Sequence, residues 1–80
     1  AGQLNVVLKT AIARLKAGDA IGAVEAQARD ALLKAGFANV DYVAVRDAQT
    51  LAKIDDLSKP ARILAAAKVG TTRLIDNMAV

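Results

Sequence analysis

Among the side chains that could do chemistry, three cations stand out: Arg62, Lys68 and Arg73. If the stretch around them is a hairpin, Arg62 and Lys68 share a face, with an even spacing along one strand. Arg73 then lies near them across the turn. Guanidinium and ammonium groups gathered in this way attract phosphate. The carboxylates offer a second chemistry, since Asp55-Asp56 and the pair Asp41 and Asp47 suggest magnesium ligands or an acid–base couple. Adjacent aspartates in a loop reading D-D-L-S-K-P are, however, the usual composition of solvated surface. Asp41 and Asp47, on one strand, project to the same side but stand too far apart to share an ion. The Tyr42 hydroxyl could orient a substrate, although packing in a sheet is the simpler use of its ring. Gly70-Thr71-Thr72 could form an anion nest, but no Lys-Ser/Thr follows it in a phosphate-loop frame, and a turn accounts for it. The remaining glycines, at positions 2, 18, 22 and 36, stand alone, in neither phosphate-binding spacing. With no histidine and no cysteine in the chain, imidazole catalysis, thiol nucleophiles, disulfides and zinc-thiolate sites are excluded. No residue can be named as catalytic, cofactor-binding or metal-ligating. On the residues alone, this is a small domain without a visible active site.

The elements that would position these groups begin with a helix. Leu4, Val7, Leu8, Ala11, Ile12 and Leu15 recur at the spacing that puts them on one helical face, and Gly18 is a natural stop. Asp19 follows at once, with a side chain suited to capping a second helix. In that helix Val24, Ala28, Ala31, Leu32 and Ala35 form the apolar stripe. Glu25 with Arg29, and Asp30 with Lys34, fall at the i, i+4 spacing of helical ion pairs. Gly22 weakens the first turn, and Gly36 closes the helix. So short a Gly-Asp connection implies an antiparallel helical hairpin.

The period then changes. N-V-D-Y-V-A-V-R-D, Asn39 to Asp47, is rich in β-branched and aromatic residues and reads as a strand. Phe37, just before it, is expected to pack beneath the helices. Asp47 to Thr50 turns the chain, and Asp55 to Pro60 is a polar loop. From Ala61 to Val69 the residues leave two readings open. A-R-I-L-A-A-A-K-V has high helix propensity, with Pro60 available for a first turn, while Ile63, Ala65, Ala67 and Val69 alternate as a half-buried strand would. In either case helices come first and β structure after, which indicates an α+β domain.

Eighty residues form one domain, and a chain of this size buries only about 60% of the surface it exposes when unfolded. The hydrophobic fraction of 55% argues against disorder, but much of it is alanine, so the core is thin. The net charge of +3 comes from 11 basic and 8 acidic residues dispersed along the chain. A nucleic-acid binder usually concentrates its charge and adds stacking aromatics, whereas Phe37 and Tyr42 are the only aromatics here. No apolar run approaches the ~20 residues that span a bilayer. The absence of cysteine fits a reducing cytoplasm. A first residue that is alanine rather than methionine suggests processing or a piece of something longer.

Two blocks carry a more specific signal. V-D-Y-V-A-V-R-D-A-Q-T-L (Val40 to Leu51) and P-A-R-I-L-A-A-A-K-V-G-T-T-R-L-I-D-N (Pro60 to Asn77) resemble the C-terminal domain of the pantothenate synthetase (pantoate–β-alanine ligase) family. That family carries D-Y-x-x-V-R-D-A-x-T-L and R-I-L-x-A-A-x-x-G-x-T-R-L-I-D-N segments. L-K-A-G-D and A-L-L-K-A-G-F, in the helical half, also fit. The resemblance implies that Ala61 to Val69 is a strand, so that residues 1–80 form a helical hairpin followed by a small three-stranded antiparallel sheet. It implies a parent ligase that activates pantoate with magnesium-ATP to a pantoyl adenylate and transfers it to β-alanine, releasing AMP and pyrophosphate. The family's histidine-containing ATP signature and its Lys/Ser-Arg loop have no counterpart here, so no catalytic residue carries over. The implied role is a lid over the N-terminal catalytic lobe of the same enzyme, inactive alone, cytoplasmic, with no nucleic acid or membrane as partner. The parent is expected to be a homodimer through the other lobe, and this piece a monomer or weak dimer. A free-standing basic module for nucleic acid or protein is the alternative, and self-association through the alanine-rich surface is a third reading.

Overall fold

The computed structural model of the chain describes residues 2–54 and 56–80. Two helices, α1 (Gly2–Lys16) and α2 (Ile21–Lys34), precede three strands, β1 (Asn39–Asp47), β2 (Ala61–Val69) and β3 (Thr72–Ala79). The strands form one antiparallel sheet in the order β1-β2-β3.

Each helix stops where a glycine allows the chain to reverse. Gly18 and Gly36 have φ of +100° and +103°, the left-handed conformation that closes many helices. After α2, the Phe37 N–H donates to the Leu32 carbonyl at 3.2 Å and the Gly36 N–H to Leu33 at 3.2 Å. Phe37 and Leu32 are both buried, the apolar contact that accompanies this closure. After α1 the Asp19 N–H donates to the Arg14 carbonyl at 3.1 Å, and its carboxylate lies 3.9 Å from the Arg14 guanidinium. Asp19 therefore completes α1 and does not cap α2. The N-cap of α2 is Ala20, in extended backbone and with no side-chain bond.

Between Ala61 and Val69 the chain is a strand, and a central one. Ala65, Ala66 and Ala67 have no exposed surface. A strand paired on both sides has its backbone satisfied by its neighbours, and alanine there lets helices approach the sheet closely. Tertiary pairing outweighs the few tenths of a kcal/mol per residue by which alanine favours helix. The β2–β3 connection is a two-residue turn, since Val69 pairs with Thr72. Gly70 is in the left-handed region at φ +59°, as this tight hairpin geometry requires of its first residue.

The helices cover one face of the sheet. Leu4, Leu8 and Leu15 from α1 and Val24, Ala28 and Leu32 from α2 meet Val40, Val45, Ile63, Ala65 and Ala67 in a single core. Ala31 and Ala35 of the expected α2 stripe are exposed instead. They border a groove of about 300 Å³ between the helices, with Val6 and Val7 opposite.

Glu25 ties the layers together. Its Oε2 accepts the Val45 N–H at 2.9 Å, on β1, an edge strand. Among the described residues no ion pair joins Glu25 to Arg29 or Asp30 to Lys34. An unpaired edge amide beside an apolar core binds a carboxylate more strongly than an exposed guanidinium does.

Candidate functional site

The face of the sheet turned away from the helices gathers most of the residues that had chemical promise. Pairing puts Lys68 directly opposite Arg73 and Arg62 opposite Arg46. The hairpin thus brings Lys68 and Arg73 together, while Arg62 shares their face but stands six residues along β2, roughly 20 Å away. The three cations do not converge on one phosphate-sized point. Each arginine also has a partner of its own. Arg62 Nε donates to Asn77 Oδ1 at 2.8 Å, and Arg73 Nε lies 2.9 Å from Asp41 Oδ2.

That second pair depends on an irregularity. The register between β1 and β2 shifts between Val40 and Tyr42, leaving Asp41 as the extra residue of a β-bulge. A bulge reverses the alternation beyond it. Asp41 therefore reaches over β2 to Arg73 on the uncovered face, whereas Val43, Val45 and Asp47 follow the alternation of the helix-covered face. The expectation that Asp41 and Asp47 project to one side is corrected by this single inserted residue.

Asp47 has a local task. Its Oδ1 accepts the backbone N–H groups of Gln49 at 2.8 Å and Thr50 at 3.0 Å. The Leu51 N–H donates to the Asp47 carbonyl at 2.9 Å, closing the turn with Leu51 at φ +60°. The amides, Thr50 first and then Gln49, hold the Asp47 carboxyl below its usual 3.8. Asp56 behaves similarly: the Ser58 hydroxyl, at 2.7 Å, and then the Ser58 N–H, at 3.0 Å, lower its pKa. Asp55, the other half of the adjacent aspartate pair, lies outside the described residues.

Among the described residues the carboxylates do not gather into one cluster. Asp41, Asp47 and Asp56 are each committed to a different local partner, and no three potential ligands cluster among the described residues. Gly70-Thr71 is the hairpin turn itself, not the mouth of a helix. Tyr42 is partly exposed on the uncovered face, directly opposite Ala66. Arg46, Leu64 and Ile75, to which the charge pattern gave no role, complete that face. Their alternation with buried neighbours was the available signal, once β2 was assigned as a strand.

The sequence pattern of the family described as Pantoate-beta-alanine ligase matches residues 1–79. The chain belongs to the pantoate-beta-alanine ligase family. Among its relatives, a pantothenate synthetase of Ruegeria sp. (strain TM1040) is 45% identical over 80 residues, which is 100% of this chain and 29% of the relative. One from Paramagnetospirillum magneticum is 53% identical over 66 residues, covering 82% of this chain and 23% of the relative. The crystal structure of pantothenate synthetase from Thermus thermophilus superposes with a TM-score of 0.81 at 26% identity, over 94% of this chain and 27% of that one. The chain therefore spans less than a third of the length of these ligase-family proteins. The helical hairpin and the three-stranded antiparallel sheet expected from the resemblance are those of the family. No helix among the described residues is long and apolar enough to cross a membrane.

Proposed function

We propose that the chain is the C-terminal lid domain of a ligase that condenses pantoate with β-alanine. In that reaction ATP becomes AMP and pyrophosphate by way of a pantoyl adenylate. The observation that carries this reading is the family match along residues 1–79, together with a site inventory in which each described aspartate of interest serves local structure. Nucleotide, magnesium, pantoate and β-alanine are handled by the catalytic lobe that makes up the rest of the longer enzyme. The lid contributes by closing. An acyl adenylate hydrolyses readily, and excluding water from it favours transfer to the amine. The parent enzyme works in the cytoplasm as a homodimer held by its other lobe, and this domain alone is a monomer or weak dimer.

A lid of this kind has no turnover of its own. The purified chain, mixed with ATP, pantoate and β-alanine, is expected to form no pantothenate above the blank, even at high protein concentration. Pantothenate formed in proportion to the purified chain would overturn the proposal.

A further inference from the structure

The sheet has two outer strands, β1 and β3, and an outer strand presents amides and carbonyls with which a further chain can pair. In an antiparallel pair these groups point alternately toward the neighbouring strand and away from it. On β1 the Ala48 N–H donates inward to the Pro60 carbonyl at 3.0 Å, so the amides of Val45 and Asp47 point outward. The chain itself closes that edge. Glu25 takes the Val45 N–H at 2.9 Å, the Ala52 carbonyl takes the Asp47 N–H at 2.9 Å, and Lys53 bridges to Arg46.

The outer edge of β3 is closed differently. The Val80 N–H donates to the Ala61 carbonyl at 3.0 Å, so the even-numbered residues of β3 bond to β2, in the register that sets Arg62 opposite Ala79. Arg73, Ile75, Asn77 and Ala79 therefore turn their amides outward. Among the described residues, the acceptor on this edge is a side chain of β3 itself: Asp76 Oδ1 takes the Asn77 N–H at 2.8 Å.

The strand whose chemistry is known to fit here is a second β3. Two copies paired antiparallel about a two-fold axis engage all of the outward groups when the register centres on Asp76. Arg73 then faces Ala79 and Ile75 faces Asn77, with both helical layers on the same side of one continuous sheet. That register also sets Asp76 directly opposite its own copy, and like charges so placed are destabilising. It further needs the Asn77 N–H, which the carboxylate already holds. We infer that Asp76 guards the β3 edge and keeps the domain from extending its sheet with a second copy of itself. The cap and the repulsion reside in one carboxylate, so one substitution removes both.

The test compares variants of the purified chain by sedimentation and by amide exchange. Asp76→Ala is expected to dimerise about tenfold or more tightly than the unsubstituted chain. With rising concentration its Ile75 amide should become protected, while the Val45 amide on the opposite edge does not change. Asp76→Lys again places like charges at the two-fold axis and should associate no more than the unsubstituted chain. Asp30→Ala removes a carboxylate from the exposed surface of α2 and should behave likewise. Sedimentation of Asp76→Ala that matches the unsubstituted chain would overturn the guard, and so would equal association of Asp30→Ala. Association of Asp76→Ala without protection at Ile75 would overturn the choice of edge, and association of Asp76→Lys would overturn the like-charge opposition. Loss of cooperative melting in both Asp76 variants would also overturn the inference, because Asp76 would then serve the fold and not its edge.

Discussion

Replacing Glu25 with alanine removes the one side-chain hydrogen bond that ties α2 to β1 among the described residues. The Glu25 carboxylate accepts the Val45 N–H at 2.9 Å from 20 residues away, on an edge strand whose side chain at that position is buried. A hydrogen bond to a charged group contributes about 1.5–3 kcal/mol, and partial exposure of this one puts it near the lower end, at about 1.5 kcal/mol. Unfolding entropy scales at roughly 2.1 cal/mol/K per residue, or ~0.17 kcal/mol/K for a chain of this length, so Glu25→Ala should lower Tm by about 9 °C. Glu25→Gln keeps a neutral acceptor and should lose roughly half as much. Thermal melting followed by far-UV circular dichroism measures both variants, and amide exchange at Val45 locates the effect. Arg29→Ala is the control, since an Arg29–Glu25 helical pair would contribute only a few tenths of a kcal/mol. A Tm for Glu25→Ala within about 2 °C of the parent, or an equal loss in Arg29→Ala, would refute the reasoning.

Three further outcomes follow from named geometry. Ala20→Asp should raise stability by about 1 kcal/mol, because Ala20 has extended N-cap backbone and no side-chain acceptor for the free amides of α2; denaturant unfolding checks it, and an unchanged midpoint counts against it. Gly70→Ala should cost about 1–2 kcal/mol; the added methyl meets open space, so a loss reflects the positive φ alone, and an unaltered melting curve would exclude such strain. Asp47 and Asp56 have lowered carboxyl pKa values, so their contribution to stability is fully present above the unfolded value of 3.8 and is lost as pH falls through the lower folded values. Carboxyl NMR titration should place both below 3.8, and Ser58→Ala should return Asp56 toward it while leaving Asp47 where it was.

Legibility divides along physical lines. The heptad-like spacing of Leu4, Leu8, Ala11 and Leu15, the stops at Gly18 and Gly36, and the β-branched run around Val43 are local signals, and each element sits where they indicate. The central strand was not locally legible, because alanine residues 65–67 say nothing of being paired on both sides. Only the resemblance of the surrounding motif decided it. Asp19 was misassigned for a related reason: one residue between two helices can serve either, and closure of α1 at Arg14 holds it. The adjacency of Lys68 and Arg73 followed from any tight hairpin at Gly70. The Asp41–Arg73 pair did not, since it rests on a bulge that no spacing rule announces. Glu25 likewise bonds to β1 through tertiary packing, which a helical wheel does not contain.

The proposed lid role asks that so thin a domain move as one piece. A chain of this length has a total stability of roughly 4–12 kcal/mol, and one truncation such as Leu32→Ala, at about 2–5 kcal/mol, would remove much of it. Such a core has little reserve against internal strain, so closure in the proposed role would be a rigid-body motion. The sheet suits that demand, because all three strands are cross-linked edge to edge by the Asp41–Arg73 and Arg62–Asn77 contacts on the very face that carries Tyr42 and Ile75. Those contacts are individually weak at an exposed surface, so they bias the direction of the two arginines without locking it. In the proposed role, closure would then need no change in the fold of this domain.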